Sequence, residues 1–244
     1  MVSSKADTIT QLQKEILLMQ GFKPALIDSS RDIGLGPMNA AFPNYTFPLA
    51  GVHEFLSIGK EDAAATGGFV AALLSTLMQS HGVIVWISSS RTIFPPALKT
   101  FGIEPDRIIF IDLQKEKDVL WAMEEALKCN GLTAVVGEMN EINFTNSRRF
   151  QLAIEQSGVT GFILRHQPGK QNTIASVSRW KISSLPSSLD DDLPGVGFPR
   201  WNVELMKIRN GKPGSWQIEW SAGKFRHIYP LVTSIPQELK RKTG

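Results

Sequence analysis

Several features are scarce or missing in this 244-residue chain, and each one narrows the range of functions. Its one cysteine, Cys129, cannot form a disulfide within the chain, which favours a reducing compartment. No apolar run approaches a membrane span of about 18 residues, and residues 1–7 lack the apolar stretch of a secretory signal. The 4 histidines are scattered without the spacing of metal ligands. We therefore expect a cytoplasmic protein with no metal centre and no membrane partner.

The composition is that of an ordinary folded protein. Hydrophobic residues make up 42% of the chain and charged residues 20%, a balance that excludes intrinsic disorder over most of the length. The 26 Lys and Arg residues exceed the 23 Asp and Glu residues, which gives a net charge of +3. This mild excess is compatible with a nucleic-acid partner but does not require one.

The first 48 residues divide into a short helix and an irregular segment. Within residues 1–21, apolar residues recur at spacings of three and four, which predicts one apolar stripe on an amphipathic helix. Proline and glycine interrupt residues 22–48, which we interpret as a linker. Such a helix either packs on its own domain or docks on another chain, and periodicity does not decide between the two. The stripe consists of Ile9, Leu12, Ile16 and Met19.

Residues 49–221 have the pattern of a mainly parallel α/β sheet flanked by helices. Short apolar runs without polar alternation are typical of strands that are covered on both faces. Helical stretches separate these runs, and the repeated order predicts a doubly wound sheet. Residues 201–220 alternate around a Gly-containing turn, which predicts a β-hairpin, and residues 222–244 are interpreted as a basic tail. The predicted strands are 52–56, 83–87, 108–111, 133–137 and 159–164, and the predicted helices are 61–81, 94–101, 116–129 and 146–157.

The first strand is not followed by the loop that would hold a nucleotide phosphate. A working loop needs two spaced glycines and then Lys and Ser or Thr, because backbone amides, a positive charge and a hydroxyl hold the phosphates and magnesium. Gly59 is present, but Lys60 is out of position and three alanines precede Thr66. Glu61 and Asp62 also place negative charge where a triphosphate would arrive. We therefore interpret Gly59, Lys60 and Thr66 as a degenerate phosphate-loop region.

Two further elements of ATP hydrolysis are missing from later strands. An acid at the end of a strand normally holds the magnesium shell, but here Gly137 stands at that position and Glu138 follows one residue late. Residues 88–90 are three serines and offer no carboxylate to activate a water. We therefore expect a protein that is not an enzyme and carries no cofactor.

The order of these segments resembles a recombinase core of the RecA type, and several motifs are similar to the ImuA family in particular. The resemblance covers roughly residues 49–221, and the motifs beyond residue 198 are specific to the family, whereas the β-α order is not. The motifs are 51–55, 105–107, 118–129, 147–153, 157–161, 199–205 and 211–216.

The resemblance implies a RecA-like core that has lost nucleotide hydrolysis. It implies an adaptor in damage-induced mutagenic translesion DNA synthesis, with RecA, the Y-family-like polymerase ImuB and an error-prone replicative-type polymerase subunit as partners. In RecA-type filaments an N-terminal helix packs against the next protomer, so the stripe in residues 1–21 is a candidate RecA contact. Two alternatives stay open. One is a SulA-like inhibitor of the tubulin-like division protein, and the other is an ATP-dependent recombinase.

Basic residues cluster around two segments that would hold single-stranded DNA in a RecA-like core. By position these segments lie near 138–147 and 165–178. Such a cluster could track a phosphate backbone. Alternatively, the arginines at 148 and 149 solvate the start of a helix and the arginine at 165 caps a strand. The candidate DNA contacts are Arg148, Arg149, Arg165, Lys170 and Arg179.

Overall fold

The apolar runs of the sequence form the parallel strands of a nine-stranded sheet in the part of the chain that the structure describes. The structure is a computed structural model and describes residues 11–12, 15, 33–78, 82–89, 93–166, 169, 172–188 and 197–228. In chain order the elements are β1 Val52–Ser57, α1 Gly59–Met78, β2 Ile84–Ser88, β3 Ile108–Asp112, α2 Glu116–Leu127, β4 Ala134–Met139, α3 Phe144–Ser157, β5 Thr160–His166, β6 Ser178–Ser188, β7 Phe198–Ile208, β8 Gly214–Ser221 and β9 Lys224–His227.

The sheet has a parallel half and an antiparallel half. The strand order is β3-β2-β4-β5-β1-β6-β7-β8-β9. Strands β1 to β5 pair in parallel, and β6 runs parallel to β1. From β6 onward the pairing is antiparallel. This architecture confirms the predicted α/β class, with its mainly parallel sheet, flanking helices and C-terminal hairpin.

Helices cover the two faces of the parallel half and create two apolar cores. Helix α1 lies on one face, where its buried residues join the largest core cluster together with the inner face of β6 to β8. Helices α2 and α3 lie on the opposite face over β2, β4 and β5. Every residue of β1 and β2 is buried, which explains why these strands show no polar alternation. No helix within the described ranges combines the length and the apolar character of a membrane span.

The interpretation of residues 22–48 as a linker is wrong for residues 33–48. Two 3₁₀ helices, Gly36–Ala41 and Pro43–Tyr45, fold this segment onto the sheet. Proline and glycine prevent a long regular helix but do not keep irregularly spaced apolar side chains out of a core. Residues 22–32 lie outside the described residues. The segment contributes Ile33, Leu35, Met38, Phe42 and Phe47, each at most 4% exposed.

Two strands lie where the sequence predicts no strand. Strand β6 falls between the last predicted parallel strand and the predicted hairpin, and β9 covers 224–227 of the predicted basic tail. Within β6, Trp180 and Ile182 are buried while Arg179 and Lys181 are not, so the period-two signal was present among serines of low strand propensity. Residues 229–244 lie outside the described residues. The predicted helix near 94–101 is a 3₁₀ helix, Pro95–Phe101.

His53 on β1 is a buried histidine that locks the N-terminal segment onto the sheet. Its ring stacks on Phe47 at 4.4 Å and on Phe162 at 5.6 Å between centroids. The Nε2–H donates to the carbonyl of Pro48 at 2.8 Å, so in the neutral ring Nδ1 accepts from the Ser178 hydroxyl at 2.7 Å. Burial lowers the pKa of His53 to about 4, an effect that the bond to Pro48 partly opposes.

We expect the burial of His53 to make folding stability fall in mild acid. Because the folded-state pKa of about 4 lies below the unfolded value of 6.5, protons bind the unfolded chain first. The free energy of unfolding should be unaffected above pH 6.5 and should decrease by roughly 3 kcal/mol as the pH falls towards 4. Urea unfolding of the wild type and His53→Gln at several pH values measures the difference. Parallel curves for the two proteins would contradict the assignment.

Candidate functional site

The junction between β1 and α1 leaves no room for a phosphate loop. Strand β1 ends at Ser57 and α1 begins at Gly59, so that Ile58 alone separates strand from helix. Gly59 turns the chain directly into the helix with φ +84°, a conformation that glycine adopts without strain. A loop that wraps phosphates with successive backbone amides requires several residues between its strand and its helix.

The three residues of the predicted degenerate phosphate-loop region do not converge. Lys60 is exposed in the first turn of α1, beside Glu61 and Asp62. Thr66 lies almost two turns further along the same helix and is fully buried. Its hydroxyl therefore cannot reach a ligand at the helix N-terminus. In the structure this region is an ordinary connection from strand to helix, and the first turn of the helix is acidic.

A cluster of polar side chains lies at the carboxyl ends of three parallel strands, β1, β4 and β5. Ser57 of β1 contacts His166 of β5, with 2.9 Å between Oγ and Nδ1. The Nε2 of His166 lies 3.6 Å from Oε2 of Glu138 on β4. The other oxygen of Glu138 accepts a hydrogen bond from Trp86 Nε1 at 2.6 Å. Glu138 follows the position expected for a magnesium-holding acid by one residue. Its carboxylate is buried and contacts other protein groups.

A buried ion cluster around Glu54 lies on the opposite face of the sheet. Glu54 and Arg165 are both fully buried, and their Oε1 and Nη1 atoms lie 2.8 Å apart. The second oxygen, Oε2, accepts from Nε of Arg179 on β6 at 2.5 Å. One carboxylate therefore pairs with two guanidinium groups from different strands, a geometry that suits the planar donors of arginine.

The cluster also holds the two segments that were predicted to contact DNA. Arg165 Nε donates to the carbonyl of Asn140 at 3.2 Å, and Arg165 Nη1 donates to the side chain of Asn172 at 3.1 Å. Asn172 in turn donates to the carbonyl of Ile142 at 2.6 Å. The segments after β4 and β5 are therefore tied to each other through the central strand β1.

The structure does not bring the predicted DNA contacts together on one open surface. Arg165 is buried, and Arg179 is 14% exposed, because both satisfy Glu54. Arg148 and Arg149 are exposed on α3, where Arg148 pairs with Glu155 at 3.8 Å and Arg149 pairs with α2 at 2.8 Å. Lys170 lies outside the described residues. The expectation that all five form one DNA-binding cluster is therefore wrong for Arg165, since an acid buried inside an apolar strand requires a cation as its partner.

The predicted N-terminal helix is described at three positions. Gln11, Leu12 and Glu15 are helical, and Gln11 Nε2 donates to Glu15 Oε1 at 3.4 Å. Leu12 is 51% exposed. The other members of the stripe, Ile9, Ile16 and Met19, lie outside the described residues.

The fold and the junction define a class, that of parallel α/β proteins with an antiparallel extension and no phosphate loop after the first strand. Comparison with known proteins narrows this class. The chain is 35% identical over 211 residues to Protein ImuA from two strains of Caulobacter vibrioides, a match that covers 81% of this chain and 86% of the relative. The chain belongs to the ImuA family.

A weaker similarity points to a second protein. The chain is 26% identical over 118 residues to Cell division inhibitor SulA from Photorhabdus laumondii subsp. laumondii. This match covers 47% of this chain and 67% of that protein. No family model matches the chain.

We expect Glu54→Gln to destabilise the fold strongly, because it leaves the buried Arg165 guanidinium without a counter-charge. The free energy of unfolding should fall by about 3–5 kcal/mol. In an Arg165→Met background the same change should cost clearly less, because the unpaired charge has been removed. Urea unfolding of the four proteins measures this coupling.

The matched control is Glu219→Gln, which breaks the pair with Arg200 on the outer strands. That pair is partly exposed, with 2.7 Å between Nε and Oε2. Its loss should cost no more than about 1 kcal/mol. Equal losses in Glu54→Gln and Glu219→Gln would show that the central cluster has no special role in stability.

Proposed function

We propose that this protein is a non-catalytic, RecA-like adaptor in damage-induced mutagenic translesion DNA synthesis. It binds RecA and the Y-family-like polymerase ImuB, in an assembly that includes an error-prone replicative-type polymerase subunit. The observation that carries the proposal is the β1–α1 junction, where Ile58 alone replaces a phosphate loop in a member of the ImuA family. A protein with this core and no nucleotide cradle is suited to bind partners rather than to hydrolyse ATP.

The polar groups at the sheet edge support an adaptor as well. Both Glu138 oxygens face protein groups, with Trp86 on one side and His166 on the other. The Glu54 cluster holds the segments after β4 and β5 in place. A surface that is rigid before binding loses less conformational freedom when a partner binds, which suits an adaptor.

A second candidate function is inhibition of cell division through the tubulin-like division protein. Its support is the similarity to SulA over 118 residues. Capture with the tagged full-length protein separates the two functions. Recovery of purified ImuB and RecA supports the adaptor, whereas recovery of the division protein without ImuB would favour the inhibitor.

We expect no saturable ATP binding, with or without magnesium. Glu61 and Asp62 repel phosphate at the start of α1, and the single residue between β1 and α1 is too short a loop to wrap phosphates. Isothermal titration calorimetry of the wild type and Lys60→Ala should give the same flat profile. Magnesium-dependent binding that disappears in Lys60→Ala would contradict the proposal and favour an ATP-dependent recombinase.

We expect Leu12→Asp to weaken RecA binding by at least about tenfold, because a leucine buried in an interface contributes about 1.5–3 kcal/mol. The change should leave the melting temperature nearly unaltered, since Leu12 is 51% exposed in the isolated chain. Surface plasmon resonance with immobilised RecA and a thermal melt measure both quantities.

The matched control is Leu152→Asp, which changes a 45% exposed leucine on α3. It should leave the RecA affinity unchanged. A large fall in the melting temperature of Leu12→Asp with unchanged RecA affinity would show that the N-terminal helix packs on its own domain.

A further inference from the structure

The antiparallel half of the sheet has one face that belongs to neither apolar core. Trp180, Ile182, Val203 and Leu205 of β6 and β7 point into the core shared with α1. Because side chains alternate along a strand, the residues between them lie on the opposite face. Helices α2 and α3 cover the parallel strands on that side. No described helix covers β6 and β7 on that side, which we call the open face.

Cations gather where the open face meets the segment 172–177. Arg179 on β6 lies directly opposite Lys207 on β7. The Nζ of Lys207 lies 3.4 Å from the carbonyl oxygen of Ser176, and the backbone amide of Arg209 donates to the carbonyl of Val177 at 2.8 Å. The side chains of residues 207 and 209 follow each other on one side of the chain, so three cations border this corner.

The positive charge at this corner exceeds its compensation by Glu54. That carboxylate already pairs with two arginines, Arg165 and Arg179. Burial lowers the pKa of Lys207, and the positive charges of Arg179 and Arg209 lower it further, while Glu54 opposes them with a smaller effect. A lysine whose neighbours disfavour its own charge lies in a positive potential, and an anion at this point would relieve that repulsion.

We propose that the corner of the open face where Lys207 and Arg209 lie beside the Glu54-paired Arg179 binds the phosphodiester backbone of single-stranded nucleic acid through Lys207 and Arg209. The inference deepens the proposed function and rests on it, because it gives the adaptor a direct contact with the DNA on which its partners act. It places this contact on β7 and the residue after it rather than on the arginines of α3.

The shape and composition of the corner favour a backbone contact over base recognition. The neighbouring positions of the open face carry small polar or charged side chains, among them Lys181, Ser183, Asn202 and Glu204. The tryptophans of β6 and of β7 point to the core instead. Without an aromatic platform, binding depends on charge and is therefore independent of sequence and sensitive to salt.

The test compares two variants that lower the net charge equally. Lys207→Gln with Arg209→Gln removes two cations from the corner and leaves the Glu54 cluster intact. Lys99→Gln with Lys128→Gln removes two exposed cations elsewhere, each of which pairs with an acid. Fluorescence anisotropy with a labelled oligodeoxythymidylate, measured between about 50 and 200 mM salt, gives affinity and salt dependence.

We expect the corner variant to bind roughly tenfold or more weakly than the wild type, and the slope of log affinity against log salt to fall by about 1.4 for two lost contacts. The control variant should retain most of the affinity and slope. Equal affinity in the two variants, or a wild type that binds polyglutamate but not the oligonucleotide, would overturn the inference. In the second case the corner would recognise an acidic protein.

Two measurements keep the result interpretable. Unchanged urea midpoints in both variants show that lost binding does not reflect unfolding. Capture of ImuB and RecA by the corner variant separates the inference from the proposed function. If partners are captured while the wild type fails to bind the oligonucleotide, the nucleic-acid contact is wrong and the adaptor function stands.

Discussion

The pairing of one buried carboxylate with two arginines organises the centre of this protein. Glu54 lies in the middle of β1, and β1 lies between the parallel strands and the antiparallel extension. A charge at that depth is stable only with a partner. Arg165 from β5 and Arg179 from β6, the two strands beside β1, therefore pair with it. The pairing therefore fixes how the two halves of the sheet are joined.

This constraint extends beyond β1 to two connections in the parallel half of the sheet. Through Asn172 and the backbone at positions 140 and 142, the cluster fastens the connections after β4 and β5. The same cluster leaves positive charge in excess at the border of the open face, because one acid cannot compensate several cations. The short junction after β1 and the fastened connections are the observations on which the proposed adaptor function rests.

The parts of the fold that were predictable depend on local signals. The apolar runs predicted β1 to β5 to within one to two residues because strands covered on both faces consist of consecutive apolar residues. Strand β6 was missed because serines dilute its alternation, and residues 33–48 were missed because 3₁₀ turns have no apolar period. The prediction that Arg165 contacts DNA does not agree with its burial, because a sequence shows that an arginine is present but not which acid it faces.

The sequence by itself determined the α/β class, the family and the lack of a phosphate loop, since these follow from the order of apolar runs and from short motifs read along the chain. Only the tertiary structure decided which basic side chains pair with Glu54 and which remain available to a partner. The paired residues lie 111 and 125 positions apart in the chain, and their pairing depends on strand order and register. The residue type determines the charge of a side chain, but the residues packed around it determine whether a ligand can reach that charge.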